Sequence, residues 1–377
     1  MIPRERVLAA FEHREPDRTP LFERLIKPPA DEIVLRRPCA LGFVRSMEIH
    51  EEEGWRALMD RQARDTVDLA KTLNFDMIAL RQNIPEDSPR PGKVGEYLWQ
   101  IGDTFSQFLP ESDIIRTVPA GPVQEETEEF RMQRTVEEIE ADYEPPSFSD
   151  DRFYIFRKAK QLMAQEGLDL AIYVSNYALP VSTLSGFMFE WFHTRPELVH
   201  RFYDKYTQRA IDYGRKAIEL GADVIGLGGD FADNRGPMIS PAHYREFIVP
   251  QIRRQAEALH ALGAFVTNTS DGNLWPVLDD FLAHVDGYGE IDPVSGMDLG
   301  DLKEHCGDRI CFLGDLDIRF TLCLGTPEDA RRNMVECIEK GWGNGGHVIM
   351  TSNVVHKGVK SENYLAALDA HREYFSY

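Results

Sequence analysis

The chain has 377 residues, a length that suits one large domain or two modest ones. Hydrophobic residues make up 42% and charged residues 28%, an ordinary globular balance, and no apolar run approaches the ~18 residues of a membrane span. The formal net charge of -21 excludes nucleic acid as an expected partner, because nucleic-acid binding needs a basic surface.

The first residues, MIPRERVLAAFEHREPDR, are charged and lack the apolar core of a signal peptide, so a cytoplasmic protein is expected. The five cysteines form an odd set without a CxxC pair, which fits neither a disulfide framework nor a standard zinc finger. We therefore expect buried free thiols at Cys39, Cys306, Cys311, Cys323 and Cys337.

Eight apolar runs of strand length occur along the chain, and the later ones alternate with single helices. In chain order they cover residues 18–24, 75–81, 169–175, 222–230, 263–272, 284–292, 309–317 and 346–353. Such alternation predicts a parallel sheet, and eight strands close a barrel. A Rossmann sheet is the alternative, but GLGGDF, the nearest approach to GxGxxG, lacks the third glycine. The predicted fold is α/β, a single (β/α)8 TIM-type barrel over residues 1–377.

Residues 90–150 interrupt this alternation between early strands. EYLWQIGDTFSQFLPESDIIRTV alternates like a hairpin, and QEETEEFRMQRTVEEIEADYEPP is acidic. The segment is an excursion from the barrel, and two interpretations stay open: a lid over the barrel mouth or a packing insert.

Polar residues follow the predicted strands at the ends where a barrel of this type carries its active site. One carboxylate after a strand is often only a helix cap, but crowded carboxylates repel unless a metal, a proton or a cationic ligand intervenes. The side chains expected at this rim are Glu23, Arg24, Arg81, Asn176, Tyr177, Asp230, Asp233, Thr269, Asp271, Glu290, Asp292, Asp315, Asp317, Asn353 and His356.

Three longer stretches are similar to the uroporphyrinogen decarboxylase superfamily, which also contains corrinoid-dependent methyltransferases. They are PRERVLAAFEHREPDRTPLF, GDFADNRGPMISPAHYREFIVP and IDPVSGMDLGDLKEHCGDRICFLGDLD. The resemblance implies a single barrel. Its decarboxylase branch uses an early Arg-Gln-Ala-Gly-Arg stretch, whereas ERLIKPPADEIVLRR stands at about that place here.

The methyltransferase branch includes zinc enzymes with a His-x-Cys-Gly-Asn motif and a distant cysteine. Here the motif reads Thr269-Ser270-Asp271-Gly272-Asn273, and MTSNVVHKG near the end has no cysteine. A thiolate-rich zinc site suits activation of a thiol acceptor, so its loss disfavours methylation of coenzyme M. The other half-reaction remains, in which a methyl group moves from a donor to the cobalt of a corrinoid.

The resemblance therefore implies a corrinoid-dependent methyltransferase, the demethylating component for a small methyl donor such as a methoxylated aromatic. DAHREY at 369–374 lacks the glycine of a corrinoid-binding motif, so the cobalamin would come on a separate corrinoid protein. The alternatives are a porphyrinogen-type decarboxylase and a non-catalytic barrel that binds a tetrapyrrole or small ligand. The sequence leaves the oligomeric state open, a homodimer included.

Cleavage of an O-methyl group needs an acid or a Lewis acid at the leaving oxygen. The expected catalytic residues are Asp230, Asp271, Glu290 and His356. Zinc or another divalent metal held by Asp271, Glu290 and His356 is an open alternative without a standard motif. Aromatic rings of Phe22, Tyr177, Phe231 and Tyr288 are candidates to hold an aromatic donor. The expected substrate-binding residues are Glu23, Arg24, Asn176, Tyr177, Phe231, Asn234, Thr269, Asp315 and Asn353.

Overall fold

The structure, a computed structural model, describes residues 1–120 and 127–375. The strands are β1 (Met77–Leu80), β2 (Gly92–Gly95), β3 (Leu98–Ile101), β4 (Thr104–Leu109), β5 (Ile114–Pro119), β6 (Ala171–Ser175), β7 (Val224–Gly228), β8 (Ala232–Asp233), β9 (Gly236–Pro237), β10 (Phe265–Thr269), β11 (Gly287–Gly289), β12 (Cys311–Leu313) and β13 (His347–Val348). The α-helices are α1 (Pro3–Phe11), α2 (Ala30–Leu35), α3 (Phe43–Glu53), α4 (Trp55–Leu73), α5 (Glu128–Glu140), α6 (Tyr154–Gln165), α7 (Gly186–Thr194), α8 (Pro196–Glu219), α9 (Pro241–His243), α10 (Val249–His260), α11 (Leu278–Leu282), α12 (Leu299–Cys306), α13 (Pro327–Gly341) and α14 (Ser361–Tyr374).

A parallel sheet of seven strands, in the order β1-β6-β7-β10-β11-β12-β13, forms most of a barrel wall. Its eighth position is taken by the residues around Leu21, which form a parallel bridge to Ile349 just after β13. On the other side, the Asp76 backbone N–H donates to the Leu21 carbonyl at 2.8 Å. Seven of the eight predicted strands are therefore confirmed, the first is reduced to bridge contacts around Leu21, and together they close the wall into a (β/α)8 barrel. The predicted first strand is short because Pro20 has no N–H to donate to a ladder.

Side chains that point into the barrel form an apolar interior, and α1 closes its lower end. Phe11 of α1 stacks on Phe265 of β10 with ring centroids 4.9 Å apart. Glycines make room for the larger rings: a Cβ on Gly226 would lie only 1.7 Å from the Tyr173 hydroxyl oxygen. The helices pack on the outer faces of the strands in a larger apolar layer, the usual arrangement of this fold. The barrel is thus a filled core whose one open end is the carboxyl end of its strands.

Much of the predicted excursion at residues 90–150 forms an antiparallel sheet, β2-β3-β4-β5, outside the barrel. Its turn residue Asp113 accepts a hydrogen bond from the Lys27 ammonium at 3.0 Å, and the Lys357 ammonium donates to the Glu111 carbonyl at 2.5 Å. Lys27 and Lys357 follow the first and last strand positions, so this sheet lies against the rim of the mouth. Residues 121–126 of the excursion lie outside the described residues.

The cysteine prediction is confirmed: Cys39, Cys306, Cys311 and Cys337 are buried free thiols, and Cys323 is a partly buried one. Among residues 1–120 and 127–375, no helix combines the length and the apolar composition that crossing a membrane requires.

Candidate active site at the barrel mouth

A cavity of 380 Å³ opens at the carboxyl ends of the strands, and we call it the carboxylate pocket. Six of the predicted site residues line it: Arg24, Tyr177, Asp230, Asp271, Glu290 and Asn353. They come from six different strand ends, so the prediction that the rim assembles one polar site holds for this subset. Its remaining lining residues are Pro180, Ser182, Thr183, Gly228 and Gly229.

Two glycines at the end of β7 keep the pocket hollow. A Cβ on Gly228 would lie 2.5 Å from the Tyr177 ring and 2.7 Å from the Thr269 carbonyl oxygen. A Cβ on Gly229 would lie 1.8 Å from the Leu179 carbonyl oxygen. Only a residue without a side chain lets the loop after β6 approach β7 this closely.

The stretch after β10 is fastened to the loop after β7. The Ser270 hydroxyl accepts a hydrogen bond from the Phe231 N–H at 2.9 Å and donates to the Asp271 carbonyl at 2.8 Å. The Asn273 N–H donates to the Asp233 carbonyl at 2.8 Å. These bonds bring Asp271 and Asp230 to the same pocket, and they give the Ser270 hydroxyl its structural role.

Two of the pocket carboxylates stand on left-handed backbone. Asp230 has a φ of 48° and Glu290 a φ of 64°, although neither residue is glycine. Such conformations cost roughly 1–3 kcal/mol and persist where the surrounding structure enforces them, often at functional sites. The rim thus keeps strain at two of the three positions where it presents an acid to the cavity.

The carboxyl group of Glu290 is the most strongly perturbed acid of the pocket. Burial raises the pKa of Glu290 to about 7, and the ion pair with Arg24 opposes part of that rise. The Arg24 guanidinium also lies over the Tyr177 ring, 5.1 Å from its centroid. Near neutral pH, Glu290 can therefore hold or release a proton inside the pocket.

The other two carboxylates are held by neutral donors. Burial, followed by repulsion from Asp230 and Asp292, raises the pKa of Asp271. The Asn353 amide donates to Asp271 at 3.2 Å, and the Ser182 hydroxyl donates to Asp230 at 3.3 Å. The pocket therefore presents three acids around one guanidinium, an arrangement that favours a proton or a cationic group between them.

Glu23 lies outside the carboxylate pocket and fastens the first segment to the strand beside it. Both of its oxygens lie 2.8 Å from Thr351, one from the backbone nitrogen and one from the hydroxyl. Burial raises the pKa of Glu23 to about 8. The Thr351 hydroxyl also reaches the Asn353 carbonyl, so its single proton faces two acceptor oxygens, and a proton on Glu23 would relieve that conflict.

Several other predicted site residues do not reach the pocket. Phe231 is fully buried and packs edge-on against Tyr244 and Phe281, because it faces the helices rather than the mouth. Asp315 is buried beside Cys337 on the outer side of the wall. Its position corrects the expectation of a substrate contact there.

Three more predicted residues have structural partners instead, and a fourth, Thr269, is buried. The Asn176 amide donates to the Ala210 carbonyl of α8 at 2.8 Å, and the Asn234 side chain accepts from the Ser295 hydroxyl at 2.8 Å. Thr269 is buried in the barrel interior below the pocket, and the His356 ring accepts from the Gly358 N–H at 3.0 Å. Of the four aromatic residues expected to hold an aromatic donor, Tyr177 alone is exposed at the mouth, since Phe22 and Tyr288 are buried as well.

The predicted metal ligands are not assembled. Across residues 1–120 and 127–375, no cluster of three or more His, Cys, Asp or Glu side chains has an arrangement that could hold a metal ion. His356 lies outside the pocket, and Glu290 is engaged by Arg24. Asp271, Glu290 and His356 therefore do not form the metal site that was predicted.

The loop after β6 belongs to the site although the sequence did not predict it there. Pro180, Ser182 and Thr183 line the pocket, but the predicted strand end stopped at Tyr177. The available signal was that ALPVSTLS continues directly from that strand end before the next helix begins.

Comparison with known proteins identifies relatives of this chain. The family model described as Uroporphyrinogen decarboxylase (URO-D) matches residues 132–374, which is more than half of the chain. A methylated-thiol–coenzyme M methyltransferase of Methanosarcina mazei is 27% identical over 186 residues, covering 49% of this chain and 47% of that protein. The chain thus spans about half the length of this relative. A solved methyltransferase from Methanosarcina mazei matches over 100% of both chains with a TM-score of 0.66 at 17% identity, a likeness that shows the fold.

Proposed function

The chain belongs to the uroporphyrinogen decarboxylase family, and from that premise we propose that it is a methyltransferase of the corrinoid-dependent kind. It removes the methyl group of a small methyl ether, with a methoxylated aromatic as the donor class, and transfers it to the cobalt of cobalamin on a separate corrinoid protein. The methyltransferase relative supports the general reaction. The replaced zinc ligands, at the positions of Thr269 and Asp271, favour the demethylating half over thiol methylation.

One observation carries this proposal: Glu290 is an acid with a pKa of about 7, placed in the mouth against Arg24. When the carbon–oxygen bond of a methyl ether breaks, the methyl group leaves for the acceptor and the bonding electrons remain on the oxygen. A protonated Glu290 supplies the proton that makes this oxygen a neutral hydroxyl. The carboxylate that remains is stabilised by the Arg24 guanidinium.

The neighbouring side chains position the donor in this scheme. Asp271, with its raised pKa, is the second group able to share a proton with the leaving oxygen. Asn353 and Ser182 orient Asp271 and Asp230 through the hydrogen bonds described above. Tyr177 offers its face to an aromatic ring beside Arg24.

The donor atoms present do not suit the zinc site of the thiol-methylating relatives. Such a site needs soft thiolate and imidazole ligands, and the pocket offers carboxylate, amide and hydroxyl oxygens. The proposed reaction therefore assigns no step to a resident metal. The cobalt takes part only as the methyl acceptor that the partner presents.

The test is methyl transfer from methoxyphenols and other methyl donors to chemically reduced cob(I)alamin, followed by the visible spectrum of methylcobalamin. We expect Glu290→Gln to lower the rate about 10²- to 10⁴-fold, the usual contribution of a general acid. The rate of the wild-type protein should also fall as the pH rises above about 7, where Glu290 loses its proton. Glu304→Gln on the exposed face of α12 is the matched control and should keep wild-type activity.

Two results would contradict the proposal. Retention of the wild-type rate by Glu290→Gln would remove Glu290 from the chemistry. Release of carbon dioxide from a porphyrinogen, with no methyl transfer from any donor, would assign the chain to the decarboxylases of its family.

A further inference from the structure

A second cavity, of 360 Å³, lies beside the carboxylate pocket and meets it at Arg24 and Tyr177. We call it the wall cavity, because its lining comes from both faces of the barrel wall. Ala79 and Met77 belong to the inner face of β1, whereas Ile78 and Leu80 belong to its outer face. Helix α4 contributes Leu69 and Ala70 from outside the barrel.

The wall cavity exists because the barrel ladder has a gap. Beyond Leu21, the first segment stays paired with the segment after β13 and not with β1. Ile26 forms a bridge to Val355, and the Lys27 N–H donates to the Val355 carbonyl at 2.8 Å. In the described part of the chain, the backbone of residues 22–27 makes no hydrogen bond to β1. The two segments therefore separate above Leu21 and leave an opening from the mouth toward α4.

The inner end of the wall cavity offers apolar surface. Its polar side chains are already bonded, since the Gln62 amide donates to the Ala40 carbonyl at 3.0 Å and the Thr66 hydroxyl donates to the Gln62 carbonyl at 2.8 Å. An unfilled apolar cavity destabilises a fold because its lining loses dispersion contacts. A cavity of about 150 Å³ is enough for benzene, so 360 Å³ suits one substituted aromatic ring.

The outer end of the wall cavity carries a free cation. Arg81 follows β1, lines the cavity and is exposed, and it has no hydrogen-bond or ion-pair partner in residues 1–120 and 127–375. Arg24, by contrast, has Glu290 as its ion-pair partner. A guanidinium that has no acidic partner beside an apolar cavity fits a carboxylate, which it can bind through two parallel hydrogen bonds.

We propose that the wall cavity is the subsite for the body of the methyl donor and that the donor is an aromatic carboxylate. The ring occupies the wall cavity, the carboxylate pairs with Arg81, and the methoxy group enters the carboxylate pocket where the two cavities meet, at Arg24 and Tyr177. The inference rests on the proposed function, and it adds the anionic group and the place where the ring binds.

The experiment is isothermal titration of the whole protein with 4-methoxybenzoate and with methoxybenzene, in the absence of cobalamin. We expect Arg81→Gln to weaken 4-methoxybenzoate about 10-fold, as the loss of one charge-assisted contact implies, and to leave methoxybenzene within about twofold. Ala79→Leu fills the wall cavity from β1 and should weaken both ligands about 10-fold or more. Arg201→Gln, at an exposed arginine of α8, is the matched control and should bind both ligands like the wild type.

Some outcomes would overturn this subsite. Binding of 4-methoxybenzoate that neither Arg81→Gln nor Ala79→Leu changes would place the ligand elsewhere, and so would tighter binding of methoxybenzene than of 4-methoxybenzoate. If Ala79→Leu lowers the melting temperature, its titrations are set aside. The titrations of Arg81→Gln with 4-methoxybenzoate and with methoxybenzene then decide whether the subsite exists. Binding with the expected pattern but without methyl transfer to cob(I)alamin would sustain the subsite and refute the proposed function, so the two failures are distinguishable.

Discussion

Replacing Glu23 by glutamine should remove a large pH dependence from the stability of this protein. Burial raises the pKa of Glu23 from its ordinary 4.5 to about 8, so the folded protein keeps a proton that the unfolded chain releases. Between these two pH values, unfolding liberates one proton, and the free energy of unfolding falls as the pH rises. The slope is about 1.4 kcal/mol per pH unit, which amounts to roughly 4 kcal/mol between about pH 5 and about pH 8.

Glutamine has nearly the same shape and does not titrate, and its amide can donate to the Thr351 hydroxyl as a protonated carboxyl group would. The assay is denaturant unfolding, followed by tryptophan fluorescence, of the wild type and Glu23→Gln across this pH range. Glu290 titrates in the same window in both proteins, so the difference between them isolates Glu23. A difference in unfolding free energy that does not change with pH would refute a protonated Glu23.

Two further substitutions test the packing that supports the site. Gly228→Ala should cost about 1–3 kcal/mol of stability in thermal unfolding and slow methyl transfer, because the new Cβ meets the Thr269 carbonyl. The control Gly186→Ala, whose new Cβ would have no atom within 4 Å, should be neutral or stabilising in the same assay. Asp76→Asn should cost about 3–5 kcal/mol in denaturant unfolding, because it leaves the guanidinium groups of Arg6 and Arg18 without their buried counter-charge. The control Glu12→Gln, in an exposed pair with Arg14, should cost at most about 1 kcal/mol. Equal losses in the two variants would refute the buried ion pairs of Asp76 as a source of stability.

Seven strands of the barrel were predictable because a strand covered on both faces leaves a continuous apolar run between turn residues. The closure of the barrel at Leu21 was less predictable. The sequence around Pro20 predicts a full strand, whereas the structure has only bridge contacts there. The gap above Leu21, and the wall cavity that it opens, arise because residues 22–27 pair with the segment after β13 and leave β1. Apolar periodicity contains no information about that choice.

For the candidate site, the predicted strand ends indicated which residues lie near the mouth of the barrel. They did not indicate which of those side chains point into the carboxylate pocket. Asp271 and Asp315 occupy similar places after their strands, yet one lines the carboxylate pocket and the other is buried behind the wall. A shift of one residue along a strand reverses the direction of a side chain. Glu290 reaches the pocket through left-handed backbone, a conformation that its residue type does not predict.

The contact between the first and last strand positions also affects how the chain folds during synthesis. Glu23 and Thr351 are separated by 328 residues, and the seam they fasten cannot form until β13 has left the ribosome. Until then, β1 and β12 are the open edges of an incomplete sheet, which can pair with other chains. A ribosome-bound chain truncated before residue 346 should therefore depend on chaperones far more than one that includes residue 353.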